Sequence, residues 1–214
     1  MPSYLVVGSS RGIGLEFVRQ LAQNADNTVF ATARNKQTAT HLNAFIGAHP
    51  HGNVHVLEVD IADFRTLRNA AADAAKITNG TLDVLIHNAA RLDGQNVLRT
   101  LLDYPSEEEL HNEFMEAFEV NTLGGIHAVN AFLPLLRSGT NKKIIFMGGD
   151  AIRHDFIFKT QFTEMSCLSI TKFGQKMTAL KYAVQLKDEG FTVVTVSPGW
   201  VDTSATNVSA GARE

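Results

Sequence analysis

A change of period along the chain restricts its fold more than any other feature. Short, β-branched, apolar runs bounded by Gly, Asn and Asp lie at 4–7, 28–32, 54–59, 82–87, 143–147 and 192–196. Between them, 13–23, 37–46, 64–77, 107–137 and 165–187 carry apolar residues every third or fourth position. Short strands alternating with amphipathic helices predict an α/β fold, a doubly wound parallel sheet with helices on both faces. In such sheets ligands bind beyond the carboxyl ends of the strands, so functional residues are expected just after strands. With 214 residues and no linker or internal repeat, one domain over 1–214 is expected.

Composition excludes several partners. Nineteen basic against 22 acidic residues leave a net charge of −3, and no long Lys/Arg run offers a footprint for nucleic acid. No segment approaches the ~18 uninterrupted apolar residues of a membrane span. A soluble chain without membrane partner is expected. Cys167 is the only cysteine and residues 1–8 lack the pattern of a signal peptide, which points to a reducing, cytoplasmic compartment. His49, His51 and His55 share a segment, but Pro50 and Gly52 place it in a turn at the sheet edge. No metal is expected there.

The first strand runs into Gly8-Ser9-Ser10-Arg11-Gly12-Ile13-Gly14 and then into a helix. Backbone N–H groups converge there where the helix dipole already favours an anion, and side chains would block a pyrophosphate. A Gly-rich turn between strand and helix would read the same way, but its place after the first strand of a βαβ unit predicts the phosphate loop of a dinucleotide site. Gly8, Ser10, Arg11, Gly12, Ile13 and Gly14 are the expected contacts. A binder of the dinucleotide without a 2′-phosphate places a carboxylate about 20 residues on, near the end of the second strand. Here that segment reads Ala31-Thr32-Ala33-Arg34-Asn35. Arg34, with Arg11 as a second clamp, favours NADP(H) over NAD(H).

These and later motifs make the chain similar to the short-chain dehydrogenase/reductase family over about residues 4–203, most of all to small carbonyl reductases related to C-factor and sniffer. The family's TGxxxGxG loop is matched from Val7-Gly8 to Gly14, with Val7 for the usual Thr. Asp60, followed by Ile61, stands where the family contacts adenine. The family's NNAG appears as His87-Asn88-Ala89-Ala90, altered at both ends, with Asn88 and Ala89 as implied coenzyme contacts. Asn121 matches the family's proton-relay Asn. Ser197-Pro198-Gly199-Trp200-Val201-Asp202-Thr203 matches the PGxVxT stretch, which implies that Pro198, Gly199, Val201 and Thr203 lie over the nicotinamide.

The catalytic positions depart from the family, whose Tyr protonates a carbonyl oxygen beside a Lys four residues later and a Ser after the fifth strand. Lys172 matches the Lys and is expected on the nicotinamide ribose, but Leu168 stands four residues before it. The serine pair is replaced by Gly148-Gly149. Tyr104 and Tyr182 both lie too far away to substitute. The resemblance therefore implies a degenerate tetrad: an atypical oxidoreductase that passes hydride to an activated acceptor such as an iminium, with Lys172, Asn121 and Asp150 as catalytic candidates. Asp150, assisted by Arg153, His154 or Asp155, would steady such a cation. The alternatives are a non-redox isomerase or cyclase on the same scaffold, a catalytically silent NADP(H)-binding module, and a ketone reductase with a substitute acid.

A small, partly apolar substrate is expected, with Phe156, Ile157, Phe158, Phe162 and Trp200 as pocket walls. The family extends further after its PGxVxT stretch with a substrate lid and a last strand, so the short segment 206–214 implies either a truncated form or a pocket more open than usual. The resemblance also implies a homodimer through the helices at 107–137 and 165–187, with Phe114, Phe118, Phe173, Met177 and Leu180 in the seam.

Overall fold

A computed structural model describes residues 1–92 and 96–206. Its strands are β1 (Ser3–Val7), β2 (Thr28–Ala33), β3 (Val54–Glu58), β4 (Val84–His87), β5 (Lys143–Met147) and β6 (Thr192–Val196). They form one sheet in the order β3-β2-β1-β4-β5-β6, and every neighbouring pair is parallel. The doubly wound sheet read from the alternating periods is the fold observed. Its direction of winding reverses between β1 and β4, which pair from Tyr4 with Val84 to Val7 with His87.

The helices are α1 (Gly12–Ala22), α2 (Thr40–Ala48), α3 (Phe64–Thr78), α4 (Glu107–Phe118), α5 (Gly124–Ser138), α6 (His154–Thr160) and α7 (Ser166–Gln185). The continuous helix expected over 107–137 is interrupted. A π-helical turn, Glu119–Leu123, inserts between α4 and α5 and carries the buried Asn121 and Thr122. Such turns are frequent at functional sites. The short α6 escaped the periodicity because it buries none of its seven residues and so has no apolar stripe. The segment 207–214, where an open pocket was expected, lies outside the described residues.

Two apolar clusters cover the two sheet faces. Leu67, Ala70 and Ala74 of α3, Val129, Phe132 and Leu136 of α5 and Ala179 of α7 pack with Leu5, Leu85, Ile144 and Phe146 of the strands. On the opposite face Leu15 and Val18 of α1 and Leu42 of α2 meet Val6, Val29 and Ile86. The central strands are apolar toward both faces because both are covered.

At the sheet end opposite the glycine loop, the buried Asp83 joins two strands to the approach of a third. One carboxylate oxygen accepts from the Ser3 N–H at 2.9 Å and the Ser3 hydroxyl at 3.1 Å. The other accepts from the Thr140 N–H and hydroxyl, each at 2.8 Å, and from the Asn141 N–H at 3.2 Å. Burial alone would raise its pKa, but these bonds outweigh it and lower the pKa from 3.8 to about 2. A depressed carboxylate contributes stability that is present above the unfolded-state value and lost as pH falls through the folded one. The difference corresponds to about 2 kcal/mol. Asp83→Asn is therefore expected to lower unfolding stability at neutral pH by about that amount and to flatten the acid limb between about pH 4 and pH 2, as read by denaturant titrations at a series of pH values.

Candidate active site

The glycine loop sits at the reversal of the sheet because only residues without a side chain fit there. A Cβ on Gly8, whose φ is +80°, would lie 2.6 Å from Ala89 Cα, and one on Gly14 would lie 2.1 Å from the Gly8 carbonyl oxygen. Asn88 Nδ2 donates to that same oxygen at 2.7 Å, and the Asn88 and Ala89 N–H groups both donate to the Val7 carbonyl. The Gly8 N–H is held by Thr32 Oγ1 at 2.8 Å, which ties the loop to the end of β2. Four expected coenzyme-contact residues, Gly8, Gly14, Asn88 and Ala89, are thus gathered around one junction. Ser10 and Ile13 are half-buried in the same loop.

Arg11 in the loop and Arg34 just after β2 are both exposed. Among the described residues neither forms an ion pair or side-chain hydrogen bond. Asp60, beyond β3, is exposed and accepts from the Ala62 N–H at 3.1 Å, while Ile61 beside it is buried. Past β6, Gly199 takes φ +72°. Pro198 is half-buried and Val201 exposed, whereas Thr203 folds back until its methyl lies 3.4 Å from where a Gly12 Cβ would be. Thr206 goes further: its hydroxyl accepts from the Gly12 N–H at 2.9 Å. That N–H opens α1 and is a donor that an anion at this helix end would use. Sequence reasoning missed Thr206, since nothing in its local pattern links it to a loop 194 residues earlier.

Lys172 on α7 is only 6% exposed. Its ammonium donates to the Met147 carbonyl at 2.9 Å and to Gln175 Oε1 at 3.2 Å. Burial without a carboxylate partner pushes its pKa down to about 8. Asn121 is fully buried: its Oδ1 accepts from the Arg91 N–H at 2.7 Å and its Nδ2 donates to Thr171 Oγ1 at 2.9 Å. Thr122 Oγ1 donates to the Thr171 carbonyl at 2.8 Å, so the π turn and α7 are joined one residue before Lys172. The Asp150 carboxylate lies 3.5 Å from Arg153, which also pairs with Asp155 at 2.6 Å.

Leu168 lines a small, partly open cavity of about 20 Å³ together with Arg91, Leu92, Val97, Glu113, Ala117 and Cys167. Gly149 has open space where a side chain would begin, but a Cβ on Gly148 would lie 2.7 Å from Thr195 Cγ2. Neither distant tyrosine offers a free hydroxyl. Tyr104 donates to Glu113 Oε1 at 3.1 Å, and burial raises its pKa. Tyr182 donates to Asn130 Oδ1 at 2.7 Å, and burial pushes its pKa up to about 12. Of the expected apolar walls, Phe158 and Trp200 are at the surface, 66% and 83% exposed, while Phe156, Ile157 and Phe162 are half-buried. Phe156 and Phe162 stack edge to face. Among the described residues no cluster of three or more His, Cys, Asp or Glu is placed to hold a metal, and His49 is bonded to Asn53 at 3.0 Å. No helix of the described residues is long and apolar enough to cross a membrane.

A parallel sheet in this order, with a glycine loop at its reversal, an Asn after β4 and a buried Lys on the helix before β6, defines a dinucleotide-binding protein of the oxidoreductase type. The sequence pattern of the short chain dehydrogenase family matches residues 3–213, and the chain belongs to that family. It is 38% identical to the short-chain dehydrogenase/reductase atnB of Arthrinium sp. over 219 residues, covering 100% of this chain and 80% of that protein. The NADPH-bound carbonyl reductase from chicken fatty liver superposes with a TM-score of 0.80 at 25% identity, over 95% of this chain and 78% of that one. Carbonyl reductase Sniffer of D. melanogaster superposes with a TM-score of 0.82 at 25% identity, over 96% and 83%. The likeness to sniffer-type reductases read from the motifs is thus met in three dimensions.

Thr206→Val removes a competing acceptor from the start of α1. It is expected to tighten NADPH binding a few-fold, measured by calorimetry. An unchanged or weaker affinity would show that the Thr206 bond to Gly12 does not oppose the ligand.

Proposed function

We propose that the chain is an NADP(H)-dependent oxidoreductase whose acceptor is already activated, an iminium or similarly electron-poor small molecule. One contrast carries this reading: the residues that build the dinucleotide cradle are present and packed together, while Leu168 and Gly148-Gly149 stand where carbonyl chemistry needs hydroxyls. The nicotinamide would supply the hydride. Gly8, Gly12 and Gly14 admit the pyrophosphate to backbone N–H groups, Arg11 and Arg34 offer guanidinium forks to a 2′-phosphate, and Asp60 and Ile61 border the adenine side. Pro198, Gly199, Val201 and Thr203 would hold the nicotinamide end, and Lys172 would hold its ribose.

The missing acid follows from electron counting. Reduction of a ketone leaves an alkoxide that needs a proton, whereas hydride addition to an iminium carbon sends the π pair to nitrogen and yields a neutral amine. Leucine at position 168 then costs nothing in that step. Asp150 is assigned to steady the cation, with its charge shared with Arg153, and Asn121 holds the segment after β4 against α7. A homodimer through α4 and α7 is part of the proposal, because Phe118, Phe173, Met177 and Leu180 are all exposed on these helices. Phe114 instead packs toward Tyr104.

The test is NADPH consumption with a panel of cyclic iminium salts and ketones. Turnover is expected with the iminium panel and not with ketones. Conversion without NADPH oxidation would favour an isomerase or cyclase, and binding without any turnover would favour a silent module; both overturn the proposal. Gly149→Ser combined with Leu168→Tyr should raise ketone reduction by about a hundredfold, since Gly149 has room for a side chain. Leu180→Glu is expected to shift the protein from dimer to monomer in sedimentation velocity.

A further inference from the structure

β4 ends in His87, which is fully buried, and Gln175, three residues beyond Lys172 on α7, is fully buried as well. The ammonium of Lys172 can only donate, so the Gln175 atom facing it at 3.2 Å is the carbonyl oxygen. The Gln175 amide nitrogen then faces His87 Nδ1 at 2.9 Å and needs an acceptor there. His87 is therefore neutral with its proton on Nε2. Burial and the nearby Lys172 charge hold it in that form by lowering its pKa to about 3. The price is visible, because Nε2 has no hydrogen-bond partner. It lies beside Gly125, where a Cβ would come within 3.6 Å, and the ring packs on Phe146 with centroids 5.6 Å apart. A buried donor left unmade costs free energy. The other tautomer would set two donors face to face at Gln175, so the unmade bond is what the chain of contacts requires.

We propose that His87 and Gln175 are positioning residues for Lys172: the imidazole orients the amide, the amide orients the ammonium against the Met147 carbonyl, and one N–H is left for the ligand. The role of that last N–H rests on the NADP(H) reading above; the orientation of the chain does not.

Two variants separate the acceptor from the ring. In His87→Asn the Oδ1 atom takes the place of Nδ1, so the acceptor survives and the outer ring is lost. In His87→Phe the ring survives and the acceptor is lost. NADPH affinity is expected to fall about tenfold in His87→Phe and to recover most of that loss in His87→Asn. Long-range proton–nitrogen correlation spectra of histidine-labelled protein, with the His87 signal identified by its loss in His87→Asn, are expected to show a neutral Nε2–H tautomer at neutral pH. Gln175→Leu should release that tautomer preference. An Nδ1–H tautomer or an imidazolium in the wild type overturns the proposal, as does equal weakening in both His87 variants. If the wild type binds no NADPH, the coenzyme reading fails and the tautomer alone decides the positioning chain; if His87→Phe does not fold, the wild-type and Gln175→Leu spectra decide it.

Discussion

The approach of the glycine loop to the end of β4 is the constraint on which the upper side of the sheet depends. Gly8 touches Ala89 so closely that no side chain fits between them, and Asn88 closes the contact by donating to the Gly8 carbonyl. Because β1 and β4 are adjacent where the winding reverses, this contact spans the crevice that the topology opens. It aligns the start of α1 with the segment after β4. Replacement of Gly8 would meet both a left-handed φ and a backbone wall, so the loop and the Asn-Ala segment stand or fall together.

Below that junction runs a polar seam in an otherwise apolar interior. Asn121, Thr122 and Thr171 join the π turn to α7, while His87, Gln175, Lys172 and the Met147 carbonyl join β4, α7 and β5. Buried hydrogen bonds of this kind select one arrangement of their elements more than they add net stability. Here they select the rotation of α7, on which both Leu168 and Lys172 ride. The π turn contributes by adding a residue just where α4 passes α7, which turns Asn121 and Thr122 inward together.

Much of this was legible in the sequence, and what was not has physical reasons. The strands and the glycine loop were read directly, since short apolar runs and glycine spacing are local signals. The π turn at Glu119–Leu123 was hidden because its apolar residues continue the helical period on either side. α6 was hidden because a helix with no buried face leaves no periodicity. Gln175 carried no signal: a glutamine on a helix reads as solvated, and only the fold brings it to His87, 88 positions away in sequence. Phe158 and Trp200 looked like pocket walls from composition, but their exposure is set by where α6 and the segment after β6 lie.

The two glycines after β5 differ in a way that concerns mutational history. Gly149 opens onto free space, so a hydroxymethyl group regained there would meet no obstacle. Gly148 is backed by the methyl of Thr195 on β6, the residue paired with Phe146, and any side chain at 148 demands a simultaneous retreat at 195. A side chain at 149 is therefore within reach of one substitution, whereas one at 148 needs a concerted pair.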